Sequence, residues 1–260
     1  MINRFFRDIK RYFRYSMVSA KSQLKTEVAN SYLNWIWWIL DPLCFMLIYT
    51  FIFGHVFKAR EANFSIYIFI GLSMWNFFEK TVKASVRMVK NNKSIVSKVY
   101  FPKYILLITK MMVNGFKMMV SFAIVVLMLI ISQVPVNLNV LFAVPILMTL
   151  GMLVFGIGCF LMHYGVYVED LANVINIAMK MLFYMTGIFY NVEKRIPEYG
   201  AMLNRYNPMA FLLTSMRQSI LYGKTPDVKF LFAWLAVSML LAALGVRKIY
   251  KEENSYVKSI

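Results

Sequence analysis

Residues 33–57 read LNWIWWILDPLCFMLIYTFIFGHVF, a run with no Lys or Arg and a single carboxylate, Asp41. Coiled as a helix at about 1.5 Å per residue, it spans about 37 Å, more than the ~30 Å of a hydrocarbon core. It lacks the period-two alternation of a barrel strand, so a helix is the structure that satisfies its backbone in lipid. Working outward, five more stretches approach the same criterion: 64–78 (running on into a Lys/Arg-bearing turn near Arg87), 104–131, 139–164, 171–190 and 228–246. The expected fold is an all-α polytopic membrane protein of six transmembrane helices.

Composition supports this reading. Of 260 residues 60% are hydrophobic and 16% charged, and the mean hydropathy is +0.59. The few charges are lopsided, with 29 Lys+Arg against 12 Asp+Glu for a net +17. A nucleic-acid binder is basic but charge-rich, and a soluble enzyme carries about 25% charged residues, so both are excluded. Most basic residues fall before residue 26, between 80 and 110, and after 246. With an even number of spans these segments share one side, and the positive-inside rule makes it the cytoplasm, with both termini there. No cleavable signal peptide is expected. Cys44 and Cys159 lie in separate apolar stretches and read as buried small hydrophobes.

Three segments carry information beyond the spans. In 1–32, Ile2, Phe5, Phe6, Ile9, Phe13 and Met17 recur at helical spacing between basic residues. This is an amphipathic helix lying in the inner-leaflet interface or, alternatively, docking on soluble structure. Residues 90–104, KNNKSIVSKVYFPKY, are basic yet contain Ile95, Val96, Val99, Tyr100 and Phe101, with Pro102 setting the start of the third span. A merely solvated loop needs no such apolar residues, so a short helix that docks on a partner is expected. In 191–227 an apolar run at 209–216 is too short to cross, is bounded by Pro197 and Pro208, and is interrupted by Arg217. Short external re-entrant helices between spans five and six follow from that pattern.

Catalytic chemistry is sparse. Two histidines, His55 and His163, fall at opposite ends of spans, and no metal-ligand spacing appears. Residues 218–225, QSILYGKT, end like a phosphate-binding loop, but Gln218 stands where the first glycine is required. Nucleotide hydrolysis by this chain is therefore not expected, nor is a bound cofactor or metal. Inside the spans, Asp41 beside Pro42 either serves the pathway or accepts hydrogen bonds near a kink. Lys180 either contacts an anionic substrate or pairs with a carboxylate. Trp35, Trp38, Phe45, Tyr49 and Phe53 fall near one helical face, and Phe183, Tyr184 and Tyr190 lie beyond Lys180. Such rings can offer a surface to the C–H faces of sugars or can simply pack the core, while Trp35, Trp37 and Trp38 also suit an interfacial belt.

The order of these motifs resembles the permease subunits of ABC-2-type polysaccharide exporters, which move O-antigen, teichoic acid or capsule chains. The resemblance rests on Ser31 to Trp35, Asp41 to Leu43, Phe53 and Gly54, and Gly71 followed by Trp75 to Phe78. It continues through Lys98 to Pro102, Tyr167 to Asp170, Gly187 and Tyr190, Asn207 and Pro208, and Arg217 with Leu221 to Gly223. It implies one transmembrane domain over 1–260 in a bacterial cytoplasmic membrane: an interface segment 1–32, spans one to five within 33–190, external gate helices 191–227, a last span 228–246 and a cytoplasmic tail 247–260. It also implies a homodimer with a channel on its axis and two copies of a separate cytoplasmic ABC ATPase that binds ATP and Mg. The cargo would be a lipid-linked glycan and the surroundings membrane lipids, with no nucleic acid.

On that resemblance the coupling residues are Lys90, Lys93, Ile95, Val96, Lys98, Val99, Tyr100, Phe101 and Pro102. The external gate would use Pro197, Asn207, Pro208 and Arg217, and the pathway Trp38, Phe45, Tyr49, Phe53, Lys180, Phe183, Tyr184 and Tyr190. Two departures stand out: Asn34 where glycine is usual, and Glu169 before Asp170 where arginine is common. The alternatives are an ABC-2 exporter of a small drug or lipid and, from another class, an integral-membrane glycosyl- or acyltransferase.

Overall fold

The computed structural model describes residues 2–29, 31–56, 61, 63–98, 101–135, 137–195 and 198–259. Val99, Tyr100 and Pro197 lie outside the described residues. Among the described residues the regular structure is entirely helical.

An N-terminal helix α1 (Ile2–Val28) precedes a short 3-10 turn (Asn34–Ile36), which runs into α2 (Trp37–Tyr49) and a π turn (Thr50–Val56). The helix passes through Pro42 unbroken. Its irregularity comes later, in the wide turn that carries Gly54. Next come α3 (Phe64–Val86), two single-turn helices α4 (Met88–Asn91) and α5 (Lys93–Val96), and the long α6 (Tyr104–Ile131). A 3-10 turn (Leu138–Phe142) leads into α7 (Ala143–Tyr167), followed by α8 (Leu171–Met185), α9 (Val192–Arg195), α10 (Gly200–Tyr206), α11 (Pro208–Ile220) and α12 (Val228–Ser259).

Four helical segments are long and apolar enough to cross a bilayer: Asn34–Gly54, Tyr104–Ile131, Leu138–Tyr167 and Val228–Glu252. The two other expected spans differ for physical reasons. α3 has the length, at 23 residues, but its last third carries Glu79, Lys80 and Lys83. The stretch expected to run to Tyr190 stops at Met185, leaving α8 with 15 residues. Gly187 ends it with φ +67°, a left-handed conformation, and a Cβ there would lie 2.4 Å from Val192 Cγ2. Only glycine fits that turn.

α3 is the axis of the bundle, buried on nearly every face by α6, α7, α8 and α11. Trp75, Phe69, Ile68 and Met74 form its centre, and a second apolar cluster fills the other end around Tyr104, Phe155, Met162 and Ile249. α7 and α12 pack through small residues. A Cβ on Gly156 would lie 2.9 Å from the Ala242 nitrogen, and one on Gly245 would lie 2.7 Å from Cys159 Cβ. Close backbone approach of this kind is how helices associate where water supplies no hydrophobic drive. Cys159 is buried there, as expected, whereas Cys44 is exposed on α2.

α1 docks on the bundle along one face and leaves apolar residues exposed on another. Phe5, Ile9 and Tyr12 dock against the second cluster, with the Phe5 and Tyr104 ring centroids 5.3 Å apart. Asp8 accepts hydrogen bonds from Tyr250 (2.8 Å) and Tyr104 (3.3 Å). Phe6, Phe13 and Met17 remain exposed on another side of the same helix.

Candidate functional site

The aromatic residues of α2 and α8 meet at one place. Phe53 stacks on Phe189 with centroids 4.4 Å apart and planes at 4°, and Tyr49 lies 4.6 Å from the same ring. Phe45 stacks above Tyr49 at 6.2 Å. From the other side Phe183 contacts Phe189 (5.2 Å), Trp75 (5.5 Å) and Tyr184 (5.4 Å). The Tyr190 hydroxyl donates to the Tyr184 carbonyl at 2.7 Å, closing the turn after α8. Phe45, Tyr49, Phe53, Phe183, Tyr184 and Tyr190 are thus brought together. Trp38 is not, since its ring faces Phe116 on α6 at 5.6 Å. Lys180 is exposed on α8.

Phe189, the ring on which the others converge, was not among the expected pathway residues. It lies across the Gly187 turn from Phe183, so it shares no helical periodicity with α8. Trp75 escaped for a related reason: it reads as core of α3, and its indole is held by Glu79 Oε2 at 2.7 Å. The outer edge of the ladder is open, with Phe45 exposed to 47% and Tyr184 to 66%. Of the apolar stretch within Asn34–Gly54, only 11% is buried by the chain itself.

Arg217 differs most from expectation. Rather than breaking the apolar run of α11, it lies within the helix and is 2% exposed. Its guanidinium donates to three carbonyls: Tyr67 (3.2 Å), Gly187 (2.9 Å) and Ile188 (2.8 Å). It also lies over the Tyr67 ring, 3.5 Å from the centroid. The planar fork suits this geometry, and a Lys would not reproduce it. Gly71 makes room for it, because a Cβ there would sit 2.5 Å from Arg217 Nη2. Arg217 therefore ties α11 to α3 and to the turn that carries Phe189.

The rest of the segment from α9 to α11 is built in the same manner. Asn207 caps α11, its side chain accepting from the Met209 and Ala210 N–H groups, and Pro208 occupies the first turn where its missing donor costs nothing. Asn204 donates to Glu193 and accepts from Thr214, joining α9, α10 and α11. Tyr222 donates to Glu61 at 3.0 Å, and Glu61 pairs with Lys194 at 2.7 Å. Burial, and then the Glu61 carboxylate, push the Tyr222 hydroxyl above the usual phenol range.

At the opposite end, the basic segment divides by burial. Lys93, Ile95 and Lys98 are exposed and Lys90 is half-buried, whereas Val96, Phe101 and Pro102 are inside. Phe101 packs between Tyr12 and Tyr15 of α1, with centroids 6.5 and 6.1 Å away. The three buried residues pack inside the chain and do not present themselves to a partner. Lys90 pairs with Glu169 at 3.5 Å, so the acidic residue at that position gains a cation across the loop. Arg87, Lys90, Asn91, Gly165 and Glu169 line a cleft of about 290 Å³. Beneath it a Cβ on Gly165 would fall 1.9 Å from the Val86 carbonyl oxygen, the point where α7 lies closest to α3. Among the described residues no group of His, Cys, Asp or Glu could hold a metal ion.

Apolar helices of spanning length around an aromatic face, with a basic segment at one end and anchored short helices at the other, define a polytopic membrane protein of the transporter class. The description "ABC-2 type transporter" matches residues 16–221, and the chain belongs to that family. Among similar proteins, an O-antigen export system permease protein RfbA of Klebsiella pneumoniae is 24% identical over 88% of each chain. One of Myxococcus xanthus, with the same name, is 26% identical over 96% of this chain and 97% of its own. The polysialic acid transport protein KpsM of Escherichia coli is 20% identical over 77% of this chain and 79% of its own.

Proposed function

We propose that the chain is the membrane subunit of an ATP-driven exporter of a lipid-linked polysaccharide in a bacterial cytoplasmic membrane. The observation that carries this reading is the aromatic ladder from Phe45 to Phe189, half open on a helix that the single chain leaves largely uncovered. Aromatic faces pack against the apolar C–H faces of sugar rings without demanding one sugar sequence, which a moving chain requires. The names of the similar proteins point to the same class of cargo.

In this reading α3 and α8 complete six spans, both termini are cytoplasmic, and α9 to α11 enter the outer leaflet without crossing it. Two copies face each other across α2 and α8, so that Phe45 and Tyr184 of each line a shared path. Lys90, Lys93, Ile95 and Lys98 form the surface on which a separate ABC ATPase docks, and ATP and Mg belong to that partner. Displacement of the docked segment passes to α1 through Phe101 and to α3 through α4. α3 carries it to Trp75 at the ladder and to Tyr67 at the Arg217 anchor. The basic cytoplasmic face gathers anionic lipid headgroups.

The test is ATP-dependent glycan export in cells whose own permease gene is deleted and replaced by variants. Phe189→Ala and Tyr49→Ala should lower export severalfold while the protein remains in the membrane. Lys93→Glu with Lys98→Glu should release the ATPase from the purified complex. Full export by the ladder variants, or export of a small hydrophobic drug in place of glycan, would overturn the assignment of cargo.

A further inference from the structure

A polar cleft between α2, α3 and α6 takes no part in the ladder, the external anchor or the docking segment. Trp38 and Asp41 of α2, Asn76 and Lys80 of α3, and Asn114 and Lys117 of α6 line it. Its volume is about 80 Å³, several times the ~10–15 Å³ that one water needs. Part of its hydrogen-bonding capacity is already used. Asn114 donates to Thr81 at 2.9 Å, and Lys117 is held by Glu27 at the end of α1. Three donors are not. The Trp38 indole and the Asn76 amide have no hydrogen-bond partner among the described residues, and Lys80 has only Asp41, at 4.0 Å, beyond hydrogen-bond reach.

We propose that this cleft binds the phosphate of a lipid headgroup. An ammonium, an amide and an indole N–H together offer donors of different reach, which a tetrahedral oxyanion with several acceptor oxygens can satisfy at once. Asp41 is the one carboxylate on the lining, against the ammonium groups of Lys80 and Lys117, and this charge balance disfavours a cation. Lys80 is 52% exposed, so it can turn from the distant Asp41 to an incoming anion. A lipid source follows from the rim: Trp37, large and exposed, lines the cleft. Such indoles prefer headgroup level, and lysines on apolar helices extend toward it. The inference rests on the chain being embedded in a bilayer and is independent of what it exports.

The test is native mass spectrometry of the purified full-length protein, released from nanodiscs that contain phosphatidylglycerol and a phosphate-free glucosyl diacylglycerol. Wild type should retain phosphatidylglycerol over the glycolipid. Lys80→Gln should lower retention about tenfold, the effect of losing one charge-assisted hydrogen bond. Asn76→Leu should lower it severalfold, Lys80→Arg should restore it, and Lys21→Gln, on an exposed face of α1, should leave it unchanged. A second arm adds a polyprenyl phosphate. Displacement of phosphatidylglycerol from wild type by this probe assigns the site to carrier lipids, and failure to displace assigns it to bulk phospholipid. Equal retention by Lys80→Gln, Asn76→Leu and wild type, or equal retention of the glycolipid, would overturn the proposal. Export is read separately, so a wrong cargo would leave these lipid counts intact.

Discussion

Replacing Gly71 by Ala and Arg217 by Met, singly and together, isolates the anchor that joins α11 to α3 and the aromatic site. The Ala methyl meets Arg217 Nη2 at 2.5 Å, under van der Waals contact, and Ile188 Cγ2 lies 3.4 Å away. Overpacking at a buried position costs about 1–3 kcal/mol. Arg217→Met leaves the Gly187 and Ile188 carbonyls without their donor, at about 1–3 kcal/mol each, partly offset because a buried cation is no longer desolvated. A net loss of about 2–4 kcal/mol follows. In the double variant the guanidinium is gone, the methyl has space, and Ala regains about 1 kcal/mol of helix propensity over Gly. The double variant should therefore be no less stable than Arg217→Met alone, a coupling of about 1–3 kcal/mol between the two sites. Reversible unfolding in mixed micelles titrated with SDS measures all four proteins. Additivity within about 0.5 kcal/mol would refute the packing account of the anchor.

Other positions give distinct expectations. Asn207→Ala removes the α11 cap and should cost about 0.5–2 kcal/mol in the same assay, with Asn207→Asp close to wild type. Gly165→Ala should force α7 from α3, because its Cβ would fall 1.9 Å from the Val86 oxygen; the expected readout is a fall in melting temperature together with faster cysteine labelling at an introduced Asn91→Cys. Exchanging charges at Lys90 and Glu169 should change stability by less than about 1 kcal/mol, since Glu169 is 89% exposed. Phe189→Leu should keep most of the fold and still reduce export, separating the ring's surface from its packing volume.

Where the chain's own periodicity or apolar length determines a structure, it could be read directly. The helices at Asn34–Gly54, Tyr104–Ile131, Leu138–Tyr167 and Val228–Glu252 are of this kind, as is the amphipathic α1. The ladder was half legible, because Phe45, Tyr49 and Phe53 repeat every four residues along one segment. Phe189 was not, because its place depends on a left-handed turn at Gly187 and on a guanidinium from a helix about thirty residues further on. The burial of Arg217 was hidden for a related reason. A lone arginine after an apolar run reads as a boundary until the carbonyls of Tyr67, Gly187 and Ile188 are seen converging on it. The same holds for Phe101, whose apolar character suits partner docking and burial under α1 equally well.

The step proposed for this subunit is passage of a glycan along the ladder as a separate ATPase turns over. Its most direct test is ATP-driven transfer of lipid-linked glycan in proteoliposomes holding the purified chain and its ATPase. Transfer should require both subunits and ATP, and should fall severalfold in Phe189→Ala with ATP hydrolysis retained. Transfer by the chain without the ATPase, or at an undiminished rate in Phe189→Ala, would contradict it.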